Sequence, residues 1–252
     1  MTDIEFMNDA AELAYARPVV LDSLRARADE IAPLDEDSAD GMRAATLRNA
    51  AGELEPSSQN YHVYATCFCE KGDLLSQWRA YGGDGGYAIG FRTEWLLDVS
   101  ASQDSIHFAK VTYGLDDARP RLEAMLNEMA RPVAGFPGAT GNFRLMEFVL
   151  PTVAAIKDPT FAEEQEWRLL STGSGVGGLR FRSGSVGLVP YVEVGFPDNA
   201  VAQVIVGPGQ HSQVRISGVR QLLESHGMSG FQAEYRGMSG VEVVGSLSPL
   251  RL

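Results

Sequence analysis

Glu164 and Glu166, one residue apart, are the pair in this sequence with the plainest chemical use. If the pair lies on a strand, both carboxylates face one way and Gln165 faces the other. Like charges that close disfavour joint ionisation and raise one pKa. Such a pair suits stabilising an oxocarbenium-like carbon while deprotonating an incoming nucleophile. The same residues also read as a solvated acidic edge paired with Arg168. Trp167 and Leu169 alternate with the carboxylates, which makes the opposite face apolar and the strand half buried.

A second stretch concentrates rarer residues: Cys67-x-Cys69, then Trp78-Arg79-x-Tyr81, then Gly82-Gly-Asp-Gly-Gly86. Trp78 and Tyr81, three apart on a short helix, read either as core or as an aromatic platform for a planar ring, with Arg79 for a pyrophosphate. The glycine run lacks the lysine and the helix-opening context of a phosphate loop, so a hairpin turn is its simpler reading. A phosphate-cradling loop stays the alternative. Metal binding finds no pattern: His62, His107, His211 and His226 have no partner at zinc-ligand spacing, and Cys67-x-Cys69 lacks a second pair.

The elements that must position these residues follow from periodicity. Apolar residues at helical spacing mark a helix from about residue 9, with Asp9 and Glu12 as a capping box and Pro18 as a kink or restart. Further helices are expected over 40–51, around Trp95, from Asp116 through Met129, and over 143–156, with a Pro/Gly-rich loop at 131–142. Strands are expected at 64–69, 87–91, 106–113, 165–170, 179–182, 186–196, 201–206, 231–235 and 241–246, with a helix after Ser212 that ends near Gly227. Helices first and strands later, without βαβ alternation, imply an α+β fold with a mixed or mainly antiparallel sheet. No repeat or linker stands out, so one domain over 1–252 is expected. It opens on a strand end, as though its N-terminus were incomplete.

The 252 residues are 44% hydrophobic, ordinary for a globular protein, and carry a formal charge of −12. That charge speaks against general binding to nucleic acid or anionic membranes, although a local basic groove is compatible with it. Two cysteines without a disulfide framework point to a reducing cytosol. No leader and no long apolar run suggest export or membrane spanning.

In order along the chain stand Asp3-Ile-Glu-Phe-Met-Asn8-Asp9, Cys67-Phe-Cys-Glu, Leu75-Ser-Gln-Trp78-Arg-Ala-Tyr81-Gly and Gly86-Tyr-Ala-Ile-Gly-Phe91. Then come Val111-Thr-Tyr113, Glu166-Trp-Arg168, Pro190-Tyr191-Val-Glu, Val206-Gly-Pro-Gly209 and Ser246-Leu-Ser-Pro-Leu-Arg251. This ordered set, nearly the length of the chain, resembles a bacterial family known as domain of unknown function 2971. Members of that family usually carry a further N-terminal strand with a His-Tyr or Tyr-Arg motif, which is absent here. The family layout is similar, at fold level, to ADP-ribosyltransferases. That resemblance implies Glu166 as the residue that holds the nicotinamide ribose and stabilises the oxocarbenium ion, and Glu164 as the one that orients or deprotonates the acceptor. It also implies Trp78 or Tyr81 against a ring of NAD, Arg79 or Arg168 near the pyrophosphate, and the strand ending at Cys69 as a second motif. NAD would be a co-substrate, not a permanent cofactor, and the acceptor a protein or small molecule, with a defence or toxin-like role. The rival expectation is a non-catalytic ligand- or protein-binding module in which Glu166 and Arg168 form a structural ion pair.

Overall fold

Helical periodicities dominate the first half of the chain and strand periodicities the second, and the fold that results is α+β with mostly antiparallel sheets. The structure, a computed structural model, describes residues 1–7, 11–31, 38–55, 62–83, 85–103, 105–129, 148–172, 178–184, 186–235, 237 and 239–249. The expected capping box at Asp9, the loop at 131–142 and the start of the helix over 143–156 lie outside the described residues.

In chain order the elements are β1 (Thr2–Asp3), a 3₁₀ turn (Ile4–Phe6), α1 (Ala11–Glu30), α2 (Ala39–Leu54), β2 (Tyr64–Cys69), α3 (Leu75–Tyr81), β3 (Tyr87–Phe91) and α4 (Thr93–Ser102). Next are β4 (Ile106–Lys110), β5 (Thr112–Tyr113), α5 (Leu115–Met129), α6 (Leu150–Val153), β6 (Ile156–Lys157), a 3₁₀ turn (Pro159–Glu164) and β7 (Glu166–Ser171). The chain closes with β8 (Leu179–Gly184), β9 (Gly187–Val192), β10 (Val201–Val206), α7 (Ser212–Ser225), α8 (Gly230–Tyr235) and β11 (Glu242–Gly245). Two compact units divide these elements: Met1–Phe68 with Ser100–Val194, and Cys69–Val99 with Gly195–Leu252.

The first unit holds a six-stranded sheet in the order β4-β7-β2-β1-β9-β8. Its shortest strand, β1, pairs antiparallel with β2 through Thr2 and Asp3 and with β9 through Thr2. Helices α1, α2, α5 and α6 supply buried residues to the core beside it. In α1, Ala16, Val20, Leu24 and Ala28 recur every four residues and are fully buried, and this stripe carries one continuous helix past Pro18. The facing stripe of α2 is Ala44, Leu47, Ala50, Ala51 and Leu54. Alanine makes this packing close, and each buried leucine contributes about 1.5–3 kcal/mol.

At Val111 the chain changes pairing partner. The expected strand over 106–113 is two strands: β4 pairs antiparallel with β7, whereas β5 pairs parallel with β6. At the junction Val111 N–H donates to the Glu166 carbonyl at 2.9 Å, and Thr112 N–H to the Ala155 carbonyl at 2.8 Å. One continuous run of backbone thus ties β6 and β7 together at the residues that bear Lys157 and Glu166.

The second unit is a three-stranded sheet in the order β11-β10-β3, with β10 antiparallel to β3 and parallel to β11. On it α7 lays Ile216 and Leu223 against Val206 and Val243. The expected strand over 231–235 is instead α8: Ala233 N–H bonds the Ser229 carbonyl at 2.8 Å, a helical turn. Nor do the strands flanking the glycine run form a hairpin, because β2 belongs to the six-stranded sheet and β3 to the three-stranded one.

The glycine run is a helix-to-strand turn built around a cation. Arg215 of α7 donates to the carbonyls of Gly85, Gly86 (2.9 Å) and Gly207 (3.0 Å), and its guanidinium lies 5.1 Å from the Tyr87 ring centroid. Carbonyls converging on an arginine are the opposite of the N–H cradle an anion needs. At Gly85, φ is +127° and an added Cβ would stand 2.9 Å from the Arg215 guanidinium carbon. Gly85→Ala should therefore destabilise the second unit by about 1–3 kcal/mol. Thermal unfolding within a degree of the parent would show that the arginine gives way without loss.

Candidate functional site

Glu166 opens β7 and is 3% exposed, yet it is not alone. Arg168, two residues on and 1% exposed, grips it with two parallel bonds, Nε to Oε1 at 2.8 Å and a terminal nitrogen to Oε2 at 3.0 Å. Strand alternation is the reason this fork closes, since residues two apart share a face. Lys157 of β6, 4% exposed, donates to Glu166 Oε2 at 3.2 Å and to Glu164 Oε2 at 2.7 Å. Its ammonium also stands 4.6 Å from the Phe161 ring centroid. Arg168 donates onward to the Ala154 carbonyl at 2.7 Å, and Glu166 N–H donates to the Tyr113 hydroxyl at 2.8 Å.

The two carboxylates do meet, but not through the strand pleat. Glu164 ends the 3₁₀ turn, Gln165 takes a left-handed conformation with φ at 46°, and only then does the strand begin. Lys157 brings the carboxylates together from β6, a strand of a different sheet. With Lys157 between them and Arg168 on the far side of Glu166, the expected like-charge repulsion is replaced by an alternating network of Glu164, Lys157, Glu166 and Arg168.

Burial pushes the Glu166 pKa up, but the hydrogen bonds and charge of Arg168, then a hydrogen bond from the Cys67 thiol and the charge of Lys157, pull it further down. The net position is below the ordinary 4.5. Glu166 is thus held ionised. Burial likewise raises the Tyr113 phenol, which sits beside both carboxylates. On the other face of β7, Trp167 stacks on Phe108 with ring centroids 4.9 Å apart, and Leu169 is buried, as the apolar alternation requires.

The remaining expected site residues fall in the second unit. Trp78 is buried, its indole Nε1 donating to Asp73 Oδ1 at 2.6 Å. Arg79 and Tyr81 on the same helix are exposed, Tyr81 at 63%. Cys69 is half buried at the end of β2, and the thiol that bonds Glu166 belongs to the exposed Cys67.

Residues 77–169 match a family described as protein of unknown function (DUF2971). The DUF2971 match runs from α3 into β7, so it takes in Trp78, Arg79 and Tyr81 as well as Glu164, Glu166 and Arg168. No curated protein and no solved structure matches the chain. Among the described residues no group of three His, Cys, Asp or Glu side chains is placed to hold a metal ion, and no helix is long and apolar enough to cross a membrane.

Lys157 and Tyr113 are the members of the network that sequence reasoning missed. Neither has a periodic relation to Glu166, and they reach it only through the partner switch at Val111. A lysine in the apolar run Val153-Ala-Ala-Ile-Lys157 was the signal, because a buried ammonium demands a carboxylate.

Proposed function

We propose that the chain is a non-catalytic module that binds a ligand or another protein, with the Glu166 network as its structural anchor. One observation carries this reading: the Glu166 carboxylate is almost fully buried and both its oxygens are occupied by Arg168 and Lys157. To stabilise an oxocarbenium ion it would have to offer an oxygen to the sugar carbon, and withdrawing that oxygen would weaken the pairing of a buried cation.

ADP-ribosyl transfer or NAD cleavage is the second reading, and one observation favours it. Glu166 is held ionised with Glu164 beside it, the charge state such chemistry uses. Under that reading NAD is a co-substrate and the acceptor is a protein or small molecule, with cytosolic residence and a role in defence as attendant proposals.

Nicotinamide release from NAD separates the two when it is measured together with thermal melting. For the binding module we expect no release above the buffer rate from the parent, Glu164→Gln or Glu166→Gln. Glu166→Gln should lower the melting temperature by roughly 5 °C or more, and NAD should not raise it. Release by the parent that falls about 100-fold in Glu164→Gln, with melting unchanged, would establish the transferase reading instead.

A further inference from the structure

Strand β8 stands at the end of the six-stranded sheet, and all six of its residues are exposed. It pairs antiparallel with β9 in unbroken register from Leu179↔Val192 to Gly184↔Gly187, so its inner edge is satisfied. Beyond its outer edge no described strand follows. Alternate residues there turn their N–H and C=O groups away from β9, a template for one more strand. We infer that β8 docks an extended segment of a partner protein in which acidic and apolar residues alternate, added to the edge of the sheet as a further strand.

The apolar half of that pattern comes from one face. Leu179 and Phe181 point to the same side by strand alternation and are 49% and 58% exposed. Leu188 of β9, opposite Ser183, is the diagonal neighbour of Phe181 on that face and is 69% exposed. Large apolar side chains gathered at an open sheet edge give an added strand something to cover. The Glu166 network uses none of them.

Charge selects the acidic half. The other face of β8 carries Arg180 and Arg182, and no acidic residue occurs between 179 and 192, in a chain whose formal charge is −12. Arg180 meets Glu193 at 3.2 Å with both side chains about half exposed, and Arg182 has the neutral Thr2 hydroxyl at 3.0 Å. Surface contacts of this kind hold an arginine weakly. Opposite residues of antiparallel neighbours share a face, so carboxylates on the added strand would meet both guanidiniums while its apolar residues meet Leu179 and Phe181.

The same arginines speak against a second copy of this chain as the occupant. Two β8 strands paired about a twofold axis centred on Arg180, Phe181 or Arg182 would set arginine opposite arginine. What repels a copy attracts an acidic strand. The proposal rests on the reading of the chain as a binding module and gives that module a class of partner. A failed docking test would leave the nicotinamide-release result, which tests the module reading, as it stands.

The test is a titration of the full ¹⁵N-labelled chain with a capped heptapeptide, acetyl-Thr-Val-Glu-Val-Glu-Val-Thr-amide, followed by NMR. We expect saturable shifts of the β8 amides with a Kd of about 1 mM or tighter. Lysine in place of both glutamates should weaken binding by roughly 10-fold or more, and methylation of the peptide nitrogens that face β8 should abolish it. Arg180→Glu combined with Arg182→Glu should reverse the preference in favour of the lysine peptide. Phe181→Ser should weaken the glutamate peptide by roughly 5-fold, and decides the matter if the double variant does not fold. No saturation by the glutamate peptide would overturn the proposal. Equal affinity of the glutamate and lysine peptides, or of the methylated one, would overturn it as well, by showing apolar adhesion without strand pairing. A parent dimer that Phe181→Ser dissociates in sedimentation would assign the edge to a second copy instead.

Discussion

Arg168→Met is expected to lower the unfolding free energy of the first unit by about 3–5 kcal/mol, because it leaves a buried carboxylate without its principal partner. Glu166 would keep Lys157, which is shared with Glu164, and the weak Cys67 thiol donor, and the Ala154 carbonyl would lose the Arg168 donor. Urea unfolding followed by the fluorescence of Trp167, stacked in the same unit, reads the loss directly. A double variant, Glu166→Leu with Arg168→Met, removes both charges and should recover much of the stability. Lys157 then retains Glu164, and apolar replacements of buried ion pairs are often neutral.

The pH dependence has a definite sign. Because the folded pKa of Glu166 lies below its ordinary 4.5, the stability it contributes is fully present above that value and is lost as pH falls through the folded pKa. The gap between parent and Arg168→Met should therefore be constant near neutrality and narrow only in acid. An Arg168→Met protein within 1 kcal/mol of the parent would mean that the network is incidental, and the binding-module reading would lose its support.

What could be read from the sequence depended on how local each signal was. The α+β class and strand β10 come from residues that are neighbours in the chain, and both stand. Glu166 and Arg168 share a face because of strand alternation, another local rule, and the fork between them is the structural ion pair that the rival sequence reading describes. Glu164 joins the same cluster for a different reason: a left-handed Gln165 breaks the pleat and Lys157 supplies the contact from β6. No pattern over 164–168 contains that lysine. The Asp3–His62 contact is more remote still, between residues 59 apart. The glycine run misled in another way, since a turn rich in positive φ serves a hairpin and a helix-to-strand junction equally well. The separate sheets of β2 and β3 distinguish them, as does an arginine 130 residues away that donates to Gly85.

In the second unit, Trp78→Ala should cost about 3–5 kcal/mol, the range for emptying a buried aromatic site. The indole is 5% exposed and packs so tightly under Gly207 that a Cβ there would stand 2.8 Å from its ring. Its N–H is one of four donors to Asp73, the others being Ser246 Oγ, Leu247 N–H at 2.7 Å and Ser248 Oγ at 3.1 Å. Burial pushes the Asp73 pKa up, but these donors outweigh it and hold the carboxyl below its usual range. Trp78→Phe keeps most of the packing and deletes one donor of the four, so its loss should be nearer 1 kcal/mol. That smaller loss should fade as pH falls through the Asp73 titration, because a lowered folded pKa contributes stability only above it. Hydrogen exchange of β10 amides reports this unit directly. A ring that served chiefly to stack on a ligand would behave differently: Trp78→Ala would leave those amides as protected as in the parent and weaken only ligand binding.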